Sequence, residues 1–215
     1  MDLKLIYGNM RALCEAPQMM LYYADIPYEY KMVWDHYGSS WAEVKKDVIF
    51  NRLPILIIND DRYIWQSNTI IRYLSNLTKT KPSDEFQLAY CDAVFESTHE
   101  MFSPLNPTIN MTFGEKYNSN KKKLLEDILP NSLNNFEKLL QNSSGNFFIG
   151  NDPYYCDFNA YHHFSMCLIL DKNIFSNFPN INKFINNFEE LNNIKKYLDI
   201  RPELVELGES PHFII

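Results

Sequence analysis

From Asn51 to Leu77 the chain reads NRLPILIINDDRYIWQSNTIIRYLSNL. A proline stands before an apolar run, ILIIN, and Asp60-Asp61 separates it from a second run, RYIWQ. That is the pattern of two short strands joined by a hairpin turn. A polar Gln66-Ser67 pair closes the second strand, and SNTIIRYLSNL follows as a helix with Ser67 at its cap and Ile70, Ile71 and Leu74 on one face. Upstream, LKLIY (Leu3–Tyr7) reads as a buried strand and EAPQMMLYYAD as a helix with Pro17 in its first turn, where a missing N–H costs little. YEYKMV (Tyr28–Val33) alternates as a strand does, and SSWAEVKKD is a short helix capped by Ser40. The order is β-α-β-α-β-β-α, a strand–helix alternation ending in a hairpin, which places the N-terminal part among α/β folds.

After TKTKPSDE (Thr78–Glu85), a polar stretch with the character of a linker, every strong pattern is helical. Glu85–Phe102 is long and amphipathic, and Pro104 and Pro107 are expected to interrupt it. Lys121–Gln141 carries Leu124, Leu125, Ile128, Leu133, Phe136, Leu139 and Leu140 at near-helical spacing, with Pro130 expected to kink it. NSSGNFFIGNDP is a turn-rich loop. Pro153–Leu170 is almost wholly apolar, as a central helix is, and Ile181–Leu191 and Asn193–Leu198 are two shorter helices. The expected organisation is an α/β domain at 1–79, a linker at 80–84 and an all-helical domain at 85–215.

Composition narrows the function. Hydrophobic residues are 46% and charged residues 22% of 215, enough for a core. A net charge of −7 argues against a nucleic-acid surface, which needs a basic face. Lys121-Lys122-Lys123 is a solvated helix face. The start, MDLKLIYGNM, has no signal pattern, and no apolar run approaches membrane length. The four cysteines show neither CxxC nor a disulfide framework, so a reduced, cytoplasmic protein is expected. His162-His163 and His99-Glu100 lack further ligands at metal-binding spacing, so no metal is expected.

Four segments in register carry a resemblance. LKLIYGNMRALCE, WAEVK, RLPIL with QSNTIIRYL, and FFIGNDPYYCDF together resemble cytosolic glutathione transferases, most closely the sigma class, which includes haematopoietic prostaglandin D synthase. The resemblance spans nearly the whole chain and implies a thioredoxin-like N-terminal domain, an all-α C-terminal domain, and glutathione as co-substrate. A cis bond before Pro54 would turn the backbone of Leu53 outward to pair with the cysteinyl unit as an added strand does. Gln66 and Ser67, at a helix N-terminus, would seat the γ-glutamyl carboxylate. Trp41, Lys45 and Arg52 would hold the glycyl carboxylate, the first two lying four apart on one helix face. Arg11, in the Asn-Met-Arg loop after the first strand, is carried over with the glutathione-binding set. Tyr7 would donate a hydrogen bond to the sulfur and favour thiolate. Glu100 would reach across a homodimer interface to the glutathione α-amine of the partner.

The resemblance places a small hydrophobic electrophile against Gly8, Met10, Leu13, Phe102, Asn159 and His162, with Phe213–Ile215 as a lid. Three departures stand out. Leu13 occupies the place of a second arginine that assists the thiolate. Gly8 replaces a bulky aromatic, which opens the pocket. Tyr154 replaces the Ser or Thr cap of the central helix, for which Asp152-Pro153 offers a substitute. The expected activity is conjugation of glutathione to an electrophile. A glutathione-dependent isomerase and a non-catalytic carrier on the same fold are the other readings. Cys14, near a helix start, carries a weaker redox reading.

Overall fold

The structure, a computed structural model, describes residues 1–201, 208 and 209. The tail expected to act as a lid, Phe213–Ile215, lies outside the described residues. The N-terminal elements are β1 (Leu3–Tyr7), α1 (Glu15–Tyr23), β2 (Glu29–Met32), α2 (Val33–Tyr37), α3 (Trp41–Val44), β3 (Ile55–Ile58), β4 (Arg62–Trp65) and α4 (Ser67–Leu77). The four strands form one sheet in the order β2-β1-β3-β4. β1 runs parallel to β2 and antiparallel to β3, and β3 and β4 form the expected hairpin. Helix α2 departs from expectation: Val33, expected to end the strand from Tyr28, instead opens this helix.

ILII is apolar throughout because both faces of the sheet are covered. Leu3, Leu5, Tyr7, Leu56 and Ile58 point into the main core with α1 and α4. Ile6, Ile55 and Ile57 point the other way, into a smaller cluster closed by Val33, Val48, Trp34, Trp41 and Trp65. Period-two alternation thus divides one continuous apolar run between two cores.

The remaining helices are α5 (Glu85–Met111), α6 (Gly114–Lys123), α7 (Leu129–Gln141), α8 (Tyr155–Leu170), α9 (Pro179–Glu189) and α10 (Asn192–Ile200). Helix α5 does not stop at Phe102; it continues through Pro104 and Pro107 to Met111. The two carbonyls that lose donors belong to Glu100 and Ser103, both exposed, so water can satisfy them. Leu105 and Ile109 meanwhile stay buried in the core. Beyond the prolines, the Thr108 hydroxyl donates to the Pro104 carbonyl and the Thr112 hydroxyl to that of Thr108.

The single helix expected over Lys121–Gln141 is two helices joined by a π-helical turn, Leu124–Ile128. The π turn runs directly into α7 and stands just before Pro130, in the first turn of that helix, so a locally widened turn accommodates the proline.

Helix α8 is buried nearly all round and packs against α5, α1, α4 and α9. Its N-terminus corrects the expected cap. Tyr154, not Asp152, holds the cap position, and Asp152 is exposed. Asp157 instead reaches back. Its carboxylate accepts the N–H of Tyr154 at 2.8 Å and of Phe148 at 3.1 Å. One buried side chain thereby starts the helix and pins the preceding loop, whose Phe147 and Phe148 enter the core. Burial pushes Asp157 up to about 7, against the lowering effect of its donors. The Tyr155 N–H donates to the Thr80 carbonyl, which ties the Thr78–Asp84 connection to the same helix start.

Candidate functional site

Strand register sets the site. Ile6 pairs with Ile55, and Ile55 pairs with Trp65. The next step along each strand brings Tyr7, Pro54 and Gln66 into one row across the same end of the sheet. The Leu53-Pro54 bond is cis, as the resemblance implies. Leu53 is half-buried beside Trp41 and Trp65, while Pro54 is buried.

Gln66 has φ 71 and ψ 118, a conformation few non-glycine residues adopt. It is Gln66 that stands at the cap position of α4, and Ser67, expected as the cap, is the first helical residue. The positive φ turns the chain sharply from β4 into α4 at the rim of the sheet. Gln66 is exposed there, and the Ser67 hydroxyl makes one long contact, 3.4 Å to Asn68 Oδ1. The first N–H groups of α4 have no intrahelical acceptors and point out of the helix start, where a carboxylate is favoured.

Trp41 opens α3 behind Ser40, whose hydroxyl and N–H both bond the Glu43 carboxylate. The Lys45 N–H closes the turn on the Trp41 carbonyl. Trp41 packs its ring on the smaller cluster, while Lys45 and Arg52 are exposed at the rim.

Tyr7 is 6% exposed. Its oxygen accepts the Leu13 N–H at 3.4 Å, and its hydroxyl donates towards Met10 Sδ at 3.7 Å. Burial raises its pKa well above the usual phenol value, so the hydroxyl remains a proton donor across the physiological range. Gly8 is held from behind, its carbonyl accepting the Tyr30 hydroxyl at 2.8 Å.

Arg11 lies towards the helical layer. Burial and the neighbouring Arg201 both lower its pKa, and Glu15 opposes them. Glu15 is 3% exposed and pairs with Arg201 at 3.3 Å, joining the start of α1 to the end of α10. Sequence reasoning missed Asn110. Its amide donates to the Arg11 carbonyl at 3.3 Å and to Asn106 Oδ1 at 2.9 Å, so α5 anchors the loop behind Tyr7. The signal was hidden because Asn106 lies between Pro104 and Pro107 and Asn110 beyond them, where the long helix was expected to be interrupted.

The residues expected to line a second pocket divide. Gly8, Met10 and Leu13 belong to the loop after Tyr7, while Phe102 of α5 packs with its ring 4.8 Å from that of His163. Asn159 is buried and donates to the Thr98 hydroxyl at 2.7 Å. His162 is buried, 6.0 Å from Phe102 and 5.2 Å from His163. Burial pushes His162 down to about 3 and His163 well below its ordinary value, so both are neutral. Among the described residues no group of three or more His, Cys, Asp or Glu could hold a metal ion. Cys14 is fully buried and its thiol is pushed well up, which suits a core residue and not a reactive thiolate. Glu100 is exposed on α5, one turn beyond Glu96, which with Asp92 pairs with Arg72 of α4.

A sheet of this order, a cis-proline facing a strand-end tyrosine, and a helical layer on α1 and α4 define a thioredoxin-like domain carrying a helical domain. The comparisons agree. Residues 12–82 match the family model for the glutathione S-transferase N-terminal domain, and residues 99–201 match that for the C-terminal domain. Glutathione S-transferase P of Caenorhabditis elegans is 29% identical, over 94% of this chain and 94% of its own. Human glutathione S-transferase Mu 3 is 28% identical over 95% of each. The Pi-class glutathione S-transferase of Onchocerca volvulus superposes with a TM-score of 0.81 at 25% identity, covering 94% of both chains. Rat hPGDS complexed with a quinoline superposes with a TM-score of 0.83, covering 94% of this chain and 98% of its own; at 23% identity this is a likeness of fold. The chain belongs to the cytosolic glutathione transferase family. No described helix is long and apolar enough to cross a membrane.

Proposed function

We propose that the protein binds glutathione along the row Tyr7, Leu53-Pro54, Gln66-Ser67, stabilises its thiolate with the Tyr7 hydroxyl, and conjugates it to a small hydrophobic electrophile. The register that brings a buried phenol, an outward-turned strand edge and a helix N-terminus to one end of the sheet carries this reading. The backbone of Leu53 pairs with the cysteinyl unit. Gln66 and Ser67 seat the γ-glutamyl carboxylate. Trp41, Lys45 and Arg52 hold the glycyl carboxylate, with Lys45 and Arg52 supplying the charge from the rim, and Arg11 supports the loop behind the sulfur. Gly8, Met10, Leu13 and Phe102 face the electrophile, while Asn159 and His162 support that wall from the α5–α8 seam. The functional division is a glutathione domain at 1–79, a linker at 80–84 and a helical domain at 85–215, in a cytoplasmic detoxifying enzyme.

The direct test is a glutathione titration beside an aryl halide conjugation assay. Binding with turnover is expected, and binding without turnover would make the protein a carrier. Ser67→Ala is expected to weaken glutathione by about 1–3 kcal/mol, the cost of leaving a carboxylate short of a partner. Calorimetry that finds unchanged affinity would take Ser67 out of the site.

The enzyme acts as a homodimer, with Glu100 reaching the glutathione α-amine of the neighbour. An exposed aromatic patch supports this. Phe50 is 62% exposed and held at φ 64, with Ile49, Tyr63 and Trp65 beside it. A large apolar side chain kept outward by a strained backbone marks an interface. Phe50→Asp is expected to shift light scattering from dimer to monomer and to weaken glutathione binding with it. A monomeric wild type that still binds glutathione would remove both the dimer and the role of Glu100.

A further inference from the structure

The loop after β1 is tied at two carbonyls by two different parts of the fold. Gly8 opens the loop. Its carbonyl accepts the Met10 N–H at 3.0 Å, closing a three-residue turn, and the Tyr30 hydroxyl at 2.8 Å. Further on, the Arg11 carbonyl accepts the Asn110 amide from α5 at 3.3 Å. The same loop meets the Tyr7 oxygen twice, through Met10 Sδ at 3.7 Å and the Leu13 N–H at 3.4 Å. Tyr30 is placed to reach Gly8. It pairs with Leu5 in the parallel β1–β2 register, so the two side chains share the sheet face that carries Tyr7. Its ring packs against the core on that face, and its hydroxyl ends at the carbonyl of the first residue past the strand. Burial raises its pKa far above the usual phenol value, so the hydroxyl remains a donor across the physiological range. Of the two ties the Tyr30 bond is the shorter, and it holds the carbonyl on which the turn itself closes.

We infer that Tyr30 is a positioning residue for thiolate formation: by fixing the Gly8 carbonyl it sets where Met10 and the Leu13 N–H stand against the Tyr7 oxygen. This rests on the proposed glutathione site, in which the Tyr7 hydroxyl meets the sulfur. Tyr30 acts through the loop and not on the sulfur itself. An N–H donated into the Tyr7 oxygen polarises the phenol and strengthens the hydrogen bond that its proton makes to sulfur. That contact is long, at 3.4 Å, and weakens steeply if the loop drifts outward. Without the Tyr30 hydroxyl the Gly8 carbonyl keeps the Met10 N–H, a contact inside the loop that does not tie the loop to the sheet.

The experiment follows the thiolate absorbance of the glutathione complex against pH in Tyr30→Phe, which removes one oxygen and leaves the ring. The bound thiol is expected to titrate about 0.5–1 unit higher than in wild type, leaving about three- to tenfold less thiolate at neutral pH, with glutathione affinity nearly unchanged. Turnover is expected to fall by the same factor at neutral pH and to recover at alkaline pH. Tyr28→Phe is the control. Its hydroxyl bonds Gln18 Oε1 of α1 at 3.1 Å, and losing it is expected to leave the titration where it was. In a Tyr7→Phe background the Tyr30→Phe shift is expected to vanish, because the phenol that transmits it is gone. A wild-type titration in Tyr30→Phe, an equal shift in Tyr28→Phe, or a full shift retained in the double variant would each overturn the role of Tyr30 while leaving Tyr7 in place. A Tyr7→Phe variant that titrates as wild type does, or a chain that binds no glutathione, would overturn the glutathione reading and this inference with it.

Discussion

Tyr7→Phe is expected to reduce kcat/KM by about 10- to 150-fold, the loss of one charge-assisted hydrogen bond of about 1.5–3 kcal/mol. A free thiol has a pKa of about 8.5, and each unit of lowering needs about 1.4 kcal/mol of preference for the thiolate. One donor is therefore sufficient for one to two units. The surroundings of Tyr7 suit that task. Burial keeps its proton on, and the Leu13 N–H occupies the oxygen from behind. The hydroxyl already points at a sulfur, the thioether of Met10 at 3.7 Å. A thioether is a weak acceptor, so a bound thiolate readily takes its place. Leu13 stands where the resembling enzymes carry an arginine. With an apolar side chain and a backbone N–H behind Tyr7, the bound thiol is expected to be lowered less than with that cation, and turnover is expected to rise steeply towards alkaline pH. Glutathione affinity is expected to stay nearly constant in Tyr7→Phe, because the two carboxylates carry the binding. The check is thiolate absorbance of the binary complex against pH. A Tyr7→Phe variant that titrates as wild type does would mean that another group activates the sulfur.

Asp157→Ala is expected to cost about 3–5 kcal/mol of stability, from the N–H groups of buried Phe148 and half-buried Tyr154 left without acceptors at about 1–3 kcal/mol each and a lost helix cap. Against a total of about 5–15 kcal/mol, that leaves the protein marginal at 37 °C. The reason lies in where the carboxylate sits. It joins the first turn of α8, the helix on which α1, α4, α5 and α9 all pack, to the loop that carries Phe147 and Phe148 into the core. Denaturant unfolding measures the loss, and a change below about 1 kcal/mol would show that water replaces the carboxylate. The pH dependence has a definite sign. The folded carboxyl is raised to about 7 from 3.8, so the folded state holds more protons between those values. The stability contributed by this group is full below about pH 4 and is lost as pH rises through about 7. Asp157→Asn, which cannot titrate, is expected to be less stable than wild type at pH 5 and to show a flatter profile from pH 5 to 8.

Much of this was legible along the chain because its periodicities are local. Leu3–Tyr7 came out with the bounds read from apolar spacing, and the helix ending at Leu77 differs only at its start, where Ser67 is the first residue and Gln66 the cap. The hairpin followed from its turn, and the α/β part followed by helices from the order of patterns. The errors cluster where tertiary packing overrides a local rule. Prolines normally end a helix, yet α5 continues because its freed carbonyls face water while Leu105 and Ile109 are held in the core. An Asp-Pro pair normally starts a helix, yet α8 starts two residues later because Asp157 finds two N–H donors only once the preceding loop folds over it.

The sequence by itself supplied the residues of the proposed site: the phenol, the proline and the pair at the start of the helix. Each of those is a choice of side chain at a fixed place in a strand or helix, and a one-dimensional pattern records it. Only the tertiary structure decided how they meet. The antiparallel register of β3 against β1 and β4 aligns Tyr7 with Pro54 and Gln66, residues separated by dozens of positions in the chain. It also decided that Asn110 anchors the Arg11 carbonyl and that Tyr30 holds Gly8. These are single hydrogen bonds between distant segments. They leave no period in the sequence, and they exist only because burial on both sides brings the segments within reach.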